Sequence, residues 1–457
     1  MQGHCLRTQE QKSVIPKVID LFSGCGGLTL GFEKAGFDIA AGIELVPEAC
    51  QTISYNLDYR YGREQTHLCA DIKETDTKSF KDRLGNESCI IIGGPPCQAY
   101  SIAGRAKLRS LGSDRINTND SRGYLFQDFL RFVYDLDASA VIMENVPEST
   151  NYGGMNVPET VCQSLETHGY DSFWTVLNAA DYGVPQIRER VFVIAVKADY
   201  GKKLHLPVPS HRSMEDYHTA NQKRLDSFSK SPHFRMPVSS EKATKAWVTV
   251  GEALSDLPEL LPTAKSRYRL VKLNEEMDYR SEAKNPYQLL MRNWYGTACT
   301  GSTANAFRNN KRDFPIFSLM KQGDDYISAC RIADELFERE AYIYGFKPGT
   351  AEYEKLKKKM VPIYDRDQFT RKWMRLCNDK PSHTLVAHLS KDTYSHIHPT
   401  EPRGISVREA ARIQSFPDDF FFDCSMGDAF RQIGNAVPPL LARAVAECIW
   451  KAFKEEI

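Results

Sequence analysis

Residues Ile90-Ile91-Ile92 run directly into Gly93-Gly94-Pro95-Pro96-Cys97-Gln98-Ala99-Tyr100-Ser101, and no other stretch limits so strongly what this chain can fold into. A continuous β-branched run bounded by glycine and proline suits a buried, central parallel strand, and open α/β sheets place their chemistry beyond the C-terminal ends of such strands. Gly93 and Gly94 allow backbone to approach a ligand closely, while Pro95 and Pro96 fix φ and restrict the residue before each. Cys97 is thus delivered on a loop of few conformations. It is a candidate nucleophile, and a buried structural cysteine is the plain alternative.

Upstream, Val18 to Phe22 reads as a short strand, followed by Ser23-Gly24-Cys25-Gly26-Gly27 and a helical pattern from Leu28 to Ala35. Strand, glycine loop and helix open a nucleotide-binding unit, because the glycines let N–H groups face a ligand and let the helix start close to the sheet. The next strand, Asp38 to Ile43, ends at Glu44, twenty residues after Gly24, where an acid can hold the two hydroxyls of a ribose. NAD and S-adenosylmethionine both fit this pattern. The missing Gly-x-Gly-x-x-Gly order makes NAD the weaker reading. A third strand, His67 to Ile72, carries Asp71, which can accept from an adenine amino group or cap the segment that follows.

Strands and helices keep alternating to about residue 197. Leu125 to Leu136 is helical, and Ala138 to Met143 is a strand ending at Glu144-Asn145-Val146-Pro147. A carboxylate at a strand terminus on the Cys97 edge is hard to explain by packing. Val157 to Thr167 is helical, Phe173 to Asn178 is a strand, and Gln186-Ile187-Arg188-Glu189-Arg190 leads into another, Val191 to Val196. The pattern predicts a doubly wound, parallel α/β sheet.

From Lys197 the alternation stops and proline, serine and histidine accumulate. The chain has 59 basic and 59 acidic residues, yet residues 198–380 hold 32 basic against 24 acidic. A basic middle between acidic flanks is compatible with one face meeting phosphates. Between Lys284 and Lys321 basic residues interleave with Tyr287, Trp294, Tyr295, Phe307, Phe314 and Phe317, and Gly296 to Asn310 is rich in Thr, Ser, Asn and Gly, side chains that can meet base edges. Ala351 to Met360 reads as a solvated helix. Ser406 to Ser415 is amphipathic, and a last helix runs from Leu440 to Phe453. The 12 cysteines follow no Cys-x-x-Cys or zinc spacing, so reduced thiols and no metal are expected; His396 and His398 read as ordinary packing or surface residues. The polar start, Met1 to Lys17, and the absence of a long apolar run lead to the expectation of a soluble, cytoplasmic protein with no membrane contact.

Taken in order, Asp20-Leu21-Phe22-Ser23-Gly24-Cys25-Gly26-Gly27, Glu44, Asp71, Gly94-Pro95-Pro96-Cys97-Gln98, Glu144-Asn145-Val146, Gln186-x-Arg188-x-Arg190, Arg408-Glu409-Ala410-Ala411-Arg412 with Phe416-Pro417-Asp418, and Gln432-x-Gly434-Asn435-x-Val437 resemble the motifs of the bacterial cytosine-5 DNA methyltransferase family. The resemblance covers most of the chain outside residues 198–380. It implies a Rossmann-like methyltransferase sheet with a smaller, loop-rich target-recognition domain. The expected division is 1–200 catalytic, 201–428 target recognition and 429–457 returning to the catalytic domain. It implies S-adenosylmethionine as cofactor, met by Phe22, Gly24, Cys25, Gly27, Glu44, Asp71, Ile72, Pro95 and Asn435. Cys97, Glu144, Arg190 and Arg188 are the implied catalytic set, with Arg188 the more structural of the arginines.

Cytosine carbon 5 is too weak a nucleophile to take a methyl group unaided, so this family attacks carbon 6 with a thiolate and compensates the charge pushed into the ring. Duplex DNA is the implied partner, with the base extruded. Ser101 and Arg105 in the loop after Cys97, and Arg308, Lys311 and Arg312 in the basic middle, are the expected DNA contacts. A monomer is expected, with cognate restriction or defence proteins as further partners. An RNA cytosine-5 methyltransferase would keep every catalytic motif, but such enzymes resemble versions with a short middle region. A non-catalytic DNA-binding module should have lost Cys97, Glu144 or the glycine loop. Tyr100 stands where phenylalanine is frequent.

Overall fold

The computed structural model describes residues 15–96, 125–200, 204–213, 218–260, 272–308, 312–362, 365–366 and 372–454. Cys97, Ser101, Arg105 and Lys311 lie outside the described residues.

Seven strands form one sheet: β1 (Lys17–Leu21), β2 (Ile39–Glu44), β3 (His67–Cys69), β4 (Cys89–Gly93), β5 (Ala140–Asn145), β6 (Tyr170–Asn178) and β7 (Glu189–Lys197), in the order β3-β2-β1-β4-β5-β7-β6. The isoleucine run lies at the centre, with Ile90, Ile91 and Ile92 fully buried. Alternate residues serve opposite faces. Val18, Ile90, Ile92 and Ile142 join one apolar core, while Ile19, Leu21, Ile91, Val141 and Met143 join another. Helices α1 (Gly27–Lys34) and α2 (Pro47–Leu57) contribute to the first core, and α3 (Lys78–Leu84), α4 (Leu125–Asp135) and α5 (Val157–Thr167) to the second. The sheet is therefore wound on both sides, as the alternation predicts.

One strand corrects the expectation of a wholly parallel sheet. β7 pairs antiparallel with both β5 and β6. The reason is local: only residues 179–188 join β6 to β7, too few for the crossover that parallel neighbours need. This short connection carries Gln186 and Arg188 past the end of the sheet.

Beyond β7 come α6 (His218–Phe228), α7 (Val250–Leu254), α8 (Pro286–Arg292), α9 (Phe314–Leu319), α10 (Tyr326–Tyr344), α11 (Ala351–Met360), α12 (Val407–Ile413), α13 (Met426–Asn435) and α14 (Pro439–Lys454). Val250, Leu254, Tyr287, Met291, Trp294, Val407 and Phe416 all enter the first core of the sheet. A separate cluster is built from Phe317, Tyr326, Ala329, Cys330, Ala333, Trp373 and Ile397. Helix α10 adds an element to the basic middle beyond those expected there. Its signals are local: Asp325 caps it by accepting from the Ser328 N–H, and its apolar residues recur at helical spacing.

Residues 436–442 return to the start of α1. A Cβ on Gly27 would stand 2.3 Å from the Val437 carbonyl oxygen, and one on Gly31 would stand 2.3 Å from Ala442 Cβ. α14 therefore seats against α1 at Gly31, where no side chain stands, and the segment before it seats against Gly27.

Candidate active site

At the glycine loop, Glu44 ends β2 with its carboxylate held by the chain itself. Oε2 accepts from the Gly24 N–H and Oε1 from the Val46 N–H, each at 2.7 Å. Burial pushes this carboxyl above its usual range against those two N–H groups. A carboxylate has about four lone-pair sites, so acceptor capacity remains toward the adjoining space. Gly24 has φ +56° and open space where a side chain would stand. Phe22 is half-buried with φ 60°, a left-handed conformation that a bulky residue adopts only when its surroundings enforce it.

The other expected loop residues divide by surroundings. Cys25 is buried in the core, and burial drives its thiol strongly upward. Gly27 faces the Val437 carbonyl. Asp71 accepts from the Lys73 N–H at 3.0 Å, closing a turn, beside buried Ile72. Asn435 is exposed at the C-terminal end of α13, and the adjoining Ala436 Cβ would lie 3.2 Å from a Cβ on Gly27.

Along the same sheet edge, β4 and β5 pair in parallel with Gly93 opposite Met143. Glu144 therefore emerges beside Gly94: its Oε2 lies 2.8 Å from where a Gly94 Cβ would stand. Glu144 Oε1 is 2.9 Å from Arg190 Nε. Burial raises the Glu144 carboxyl, and the guanidinium groups of Arg190 and Arg188 only partly oppose it. Asn145 Nδ2 donates to the Pro95 carbonyl at 3.4 Å, tying β5 to the loop that leads to Cys97. The sheet thus holds a buried, hydrogen-bonded carboxyl group beside Gly94, three residues before Cys97.

Arg188 is 1 % exposed and donates to the carbonyls of Leu385, Gly434 and Ala436. Gln186 accepts from the Leu385 N–H at 2.9 Å, and Gln414, which no sequence motif singles out, donates to the Ala436 carbonyl at 2.6 Å. Gln186 belongs to the Gln186-x-Arg188-x-Arg190 motif, whereas Gln414 carries no sequence signal beyond its place after an apolar helical pattern. Arg408 and Arg412 are fully buried. Arg408 serves the Pro417 and Phe420 carbonyls, and Arg412 pairs with Asp418 and Asp256. Of the basic middle, Arg308 donates to the Ser390 carbonyl, and Arg312 pairs with Asp313 at 2.6 Å. His396 and His398 are both buried.

Against known proteins, the family described as C-5 cytosine-specific DNA methylase matches residues 16–451. The chain belongs to this family. It is accordingly a DNA (cytosine-5-)-methyltransferase. A protein of Oceanobacillus iheyensis named "Putative type II methyltransferase M.OihORF3336P" is 51 % identical over 442 residues, covering 96 % of each chain. The type II methyltransferase M.AgeI of Thalassovita gelatinovora is 31 % identical over 466 residues, covering 95 % of this chain and 99 % of its own. Among solved structures, an Escherichia coli prophage protein titled "putative DNA modification methyltransferase" aligns with a TM-score of 0.64 at 23 % identity, covering 96 % of this chain and all of that one. The C-5 cytosine methylase sheet is therefore the frame that holds Glu144, Arg190 and the glycine loop.

Proposed function

We propose that this methylase transfers a methyl group from S-adenosylmethionine to carbon 5 of a cytosine flipped out of a specific duplex sequence, through a covalent adduct on Cys97. The observation that carries the reading is the Glu144 carboxyl, buried above Gly94 and paired with Arg190 at the root of the Cys97 loop. The Cys97 thiolate forms a bond to carbon 6, and the ring electron pair moves toward carbon 5 and ring nitrogen 3. Glu144, raised by burial, holds a proton at that nitrogen, and Arg190 orients the carboxylate. Once carbon 5 is methylated, its proton leaves to water, the carbon–sulfur bond breaks and the thiolate is regenerated.

The cofactor, when bound, supplies an electrophilic methyl group. The donor set fits it: Glu44, with acceptor capacity left beside Gly24, would hold the ribose hydroxyls, the open space at Gly24 would take the methionine part, and Phe22, Asp71 and Ile72 would border the adenine. Pro95 closes the reacting side, and Asn435 comes from the C-terminal segment. Cys25 and Gly27 support the loop from beneath.

Residues 1–200 with 429–457 form the proposed catalytic unit, and 201–428 the proposed recognition unit. Arg308 and Arg312, with Ser101, Arg105 and Lys311, then meet phosphates or bases after Arg308 and Arg312 exchange their internal partners. The proposed form is a monomer acting beside a cognate restriction or defence protein; relatives carry the name type II methyltransferase. The proposed setting is the bacterial cytoplasm; among the described residues no helix is long and apolar enough to cross a membrane.

Duplex DNA carrying 5-fluorocytosine tests the chemistry, since fluorine cannot leave as a proton. A covalent complex that forms with wild type and not with Cys97→Ala supports it, and trapping on the Cys97→Ala protein overturns it. Bisulfite sequencing of DNA from a methylation-free host expressing the chain reads the target. Methylation confined to transfer RNA would favour the RNA enzyme.

A further inference from the structure

Arg190 meets Glu144 with one nitrogen and its own backbone with another. Its Nε lies 2.9 Å from Glu144 Oε1, and its Nη1 donates to the Glu189 carbonyl at 2.7 Å. The place of the guanidinium therefore depends on how firmly Glu189, the first residue of β7, is held. Successive strand residues serve opposite faces. Arg190 shares its face with Phe192 and Ile194 of the first core, and Glu189 shares the other with Val191 and Val193 of the second. On that second face Glu189 meets Arg224 of α6, whose Nη2 donates to the Glu189 Oε2.

Helix α6 is anchored independently of that contact. Leu225, Phe228 and Phe234 pack against the second core, with Phe228 edge-on to Trp174 at 5.3 Å and Phe234 tilted against it at 4.7 Å. The segment after the helix adds itself to the edge of the sheet. There the Trp174 N–H donates to the His233 carbonyl and the Arg235 N–H to the Trp174 carbonyl, each at 2.9 Å. His233 Nδ1 also lies 2.7 Å from Glu159 Oε1 on α5. Arg224 thus reaches Glu189 from a fixed platform. Covering apolar surface does not account for it, because its Nε is buried with no hydrogen-bond partner among the described residues. A methionine would cover the same surface without that cost.

We propose that Arg224 is a positioning residue for methyl transfer: from the opposite face of the sheet it holds Glu189 at the start of β7 and so sets the Arg190 guanidinium against Glu144. The inference rests on the role given to Glu144 above. Transfer of radiolabelled methyl from S-adenosylmethionine to DNA of a methylation-free host, measured on the full chain, reads it. Arg224→Met keeps the stem and removes the charge, so kcat should fall about fivefold, the size of one partly exposed ion pair, while KM for donor and for DNA stays within about twofold of wild type. Arg224→Lys can still make the single contact to Glu189 and should keep kcat within about twofold. Arg224→Met combined with Glu189→Leu should be no slower than the slower single variant, because one interaction can be removed only once. The pH profile separates positioning from bracing. Among the described residues the charged groups bearing on Glu144 are Arg190 and Arg188, which oppose the effect of burial. With Arg190 loosened, Glu144 keeps its proton to higher pH, so the alkaline limb of kcat should move upward in Arg224→Met and stay in place in Arg224→Lys. Should Arg224→Met fail to fold, Glu189→Leu removes the pair from its other side and should give the same fall and the same displacement. A lower melting temperature with kcat and its pH profile unchanged, or a double variant whose losses multiply, would overturn the positioning role alone. Wild type that transfers no methyl group would overturn the functional reading and this inference together.

Discussion

Arg188 grips the backbone on both sides of Asn435, donating to the Gly434 carbonyl at 3.0 Å and to the Ala436 carbonyl at 3.1 Å. A lysine is a point charge and cannot span both while also reaching Leu385. Arg188→Lys should lower stability by about 3 kcal/mol, measured by urea denaturation, and should weaken donor binding more than DNA binding. Equal losses in both would show that the bracket holds the whole fold and not this segment.

Cys97→Ala should abolish methyl transfer while leaving S-adenosylhomocysteine affinity nearly unchanged, because the thiol supplies chemistry and does not hold the donor. Radiolabelled methyl incorporation and calorimetry on the same preparation separate the two. Residual turnover above about 1 % would point to another nucleophile.

Replacing Arg308, Lys311 and Arg312 together with alanine should flatten the salt dependence of DNA binding by about one unit of slope for each phosphate no longer neutralised. Arg308 and Arg312 already have partners within the chain, Ser390 and Asp313. An unchanged slope between two salt concentrations would mean that they stay there when DNA binds.

Asp20 also sets a pH dependence of folding. Its pKa is raised in the fold from 3.8 to about 7, so its contribution is fully present below about pH 4 and is lost as pH climbs through 7. The difference is on the order of 4 kcal/mol. Unfolding of wild type and Asp20→Asn should therefore diverge between pH 4 and 7, with wild type losing stability relative to the variant. Parallel curves would show that Asp20 is ionised in the fold throughout.

A chain ending at Asp428 should lose donor binding along with stability, and a peptide of residues 429–457 should restore part of both. Tight S-adenosylhomocysteine binding by the truncated chain would assign the C-terminal segment to the recognition unit.

The central strand is legible in the sequence because Ile90 to Ile92 are apolar on both faces, and the place of Glu44 at the end of the second strand because its spacing is set by one strand–helix–strand unit. The direction of β7 is not legible there. Val191 to Val196 is as apolar as a parallel strand, and direction is decided by the short connection that precedes it. Arg308 and Arg312 read as free cations because a one-dimensional charge count cannot see Ser390 or a neighbouring Asp313 turned toward its arginine. Gly27 invites a ligand reading, yet the Val437 carbonyl lies where its side chain would stand; a partner some 400 residues away leaves no local trace.

That late partner sets a timetable for synthesis. At about 5–20 residues per second, roughly 20–80 s separate the emergence of Gly31 from that of Ala442. Throughout this interval α1 has nothing seated against Gly31. The nascent sheet must therefore wait with an apolar surface uncovered, available to a chaperone. A ribosome that stops early releases a protein without its closing helix, so only completed chains should acquire the finished donor site and mark the host DNA.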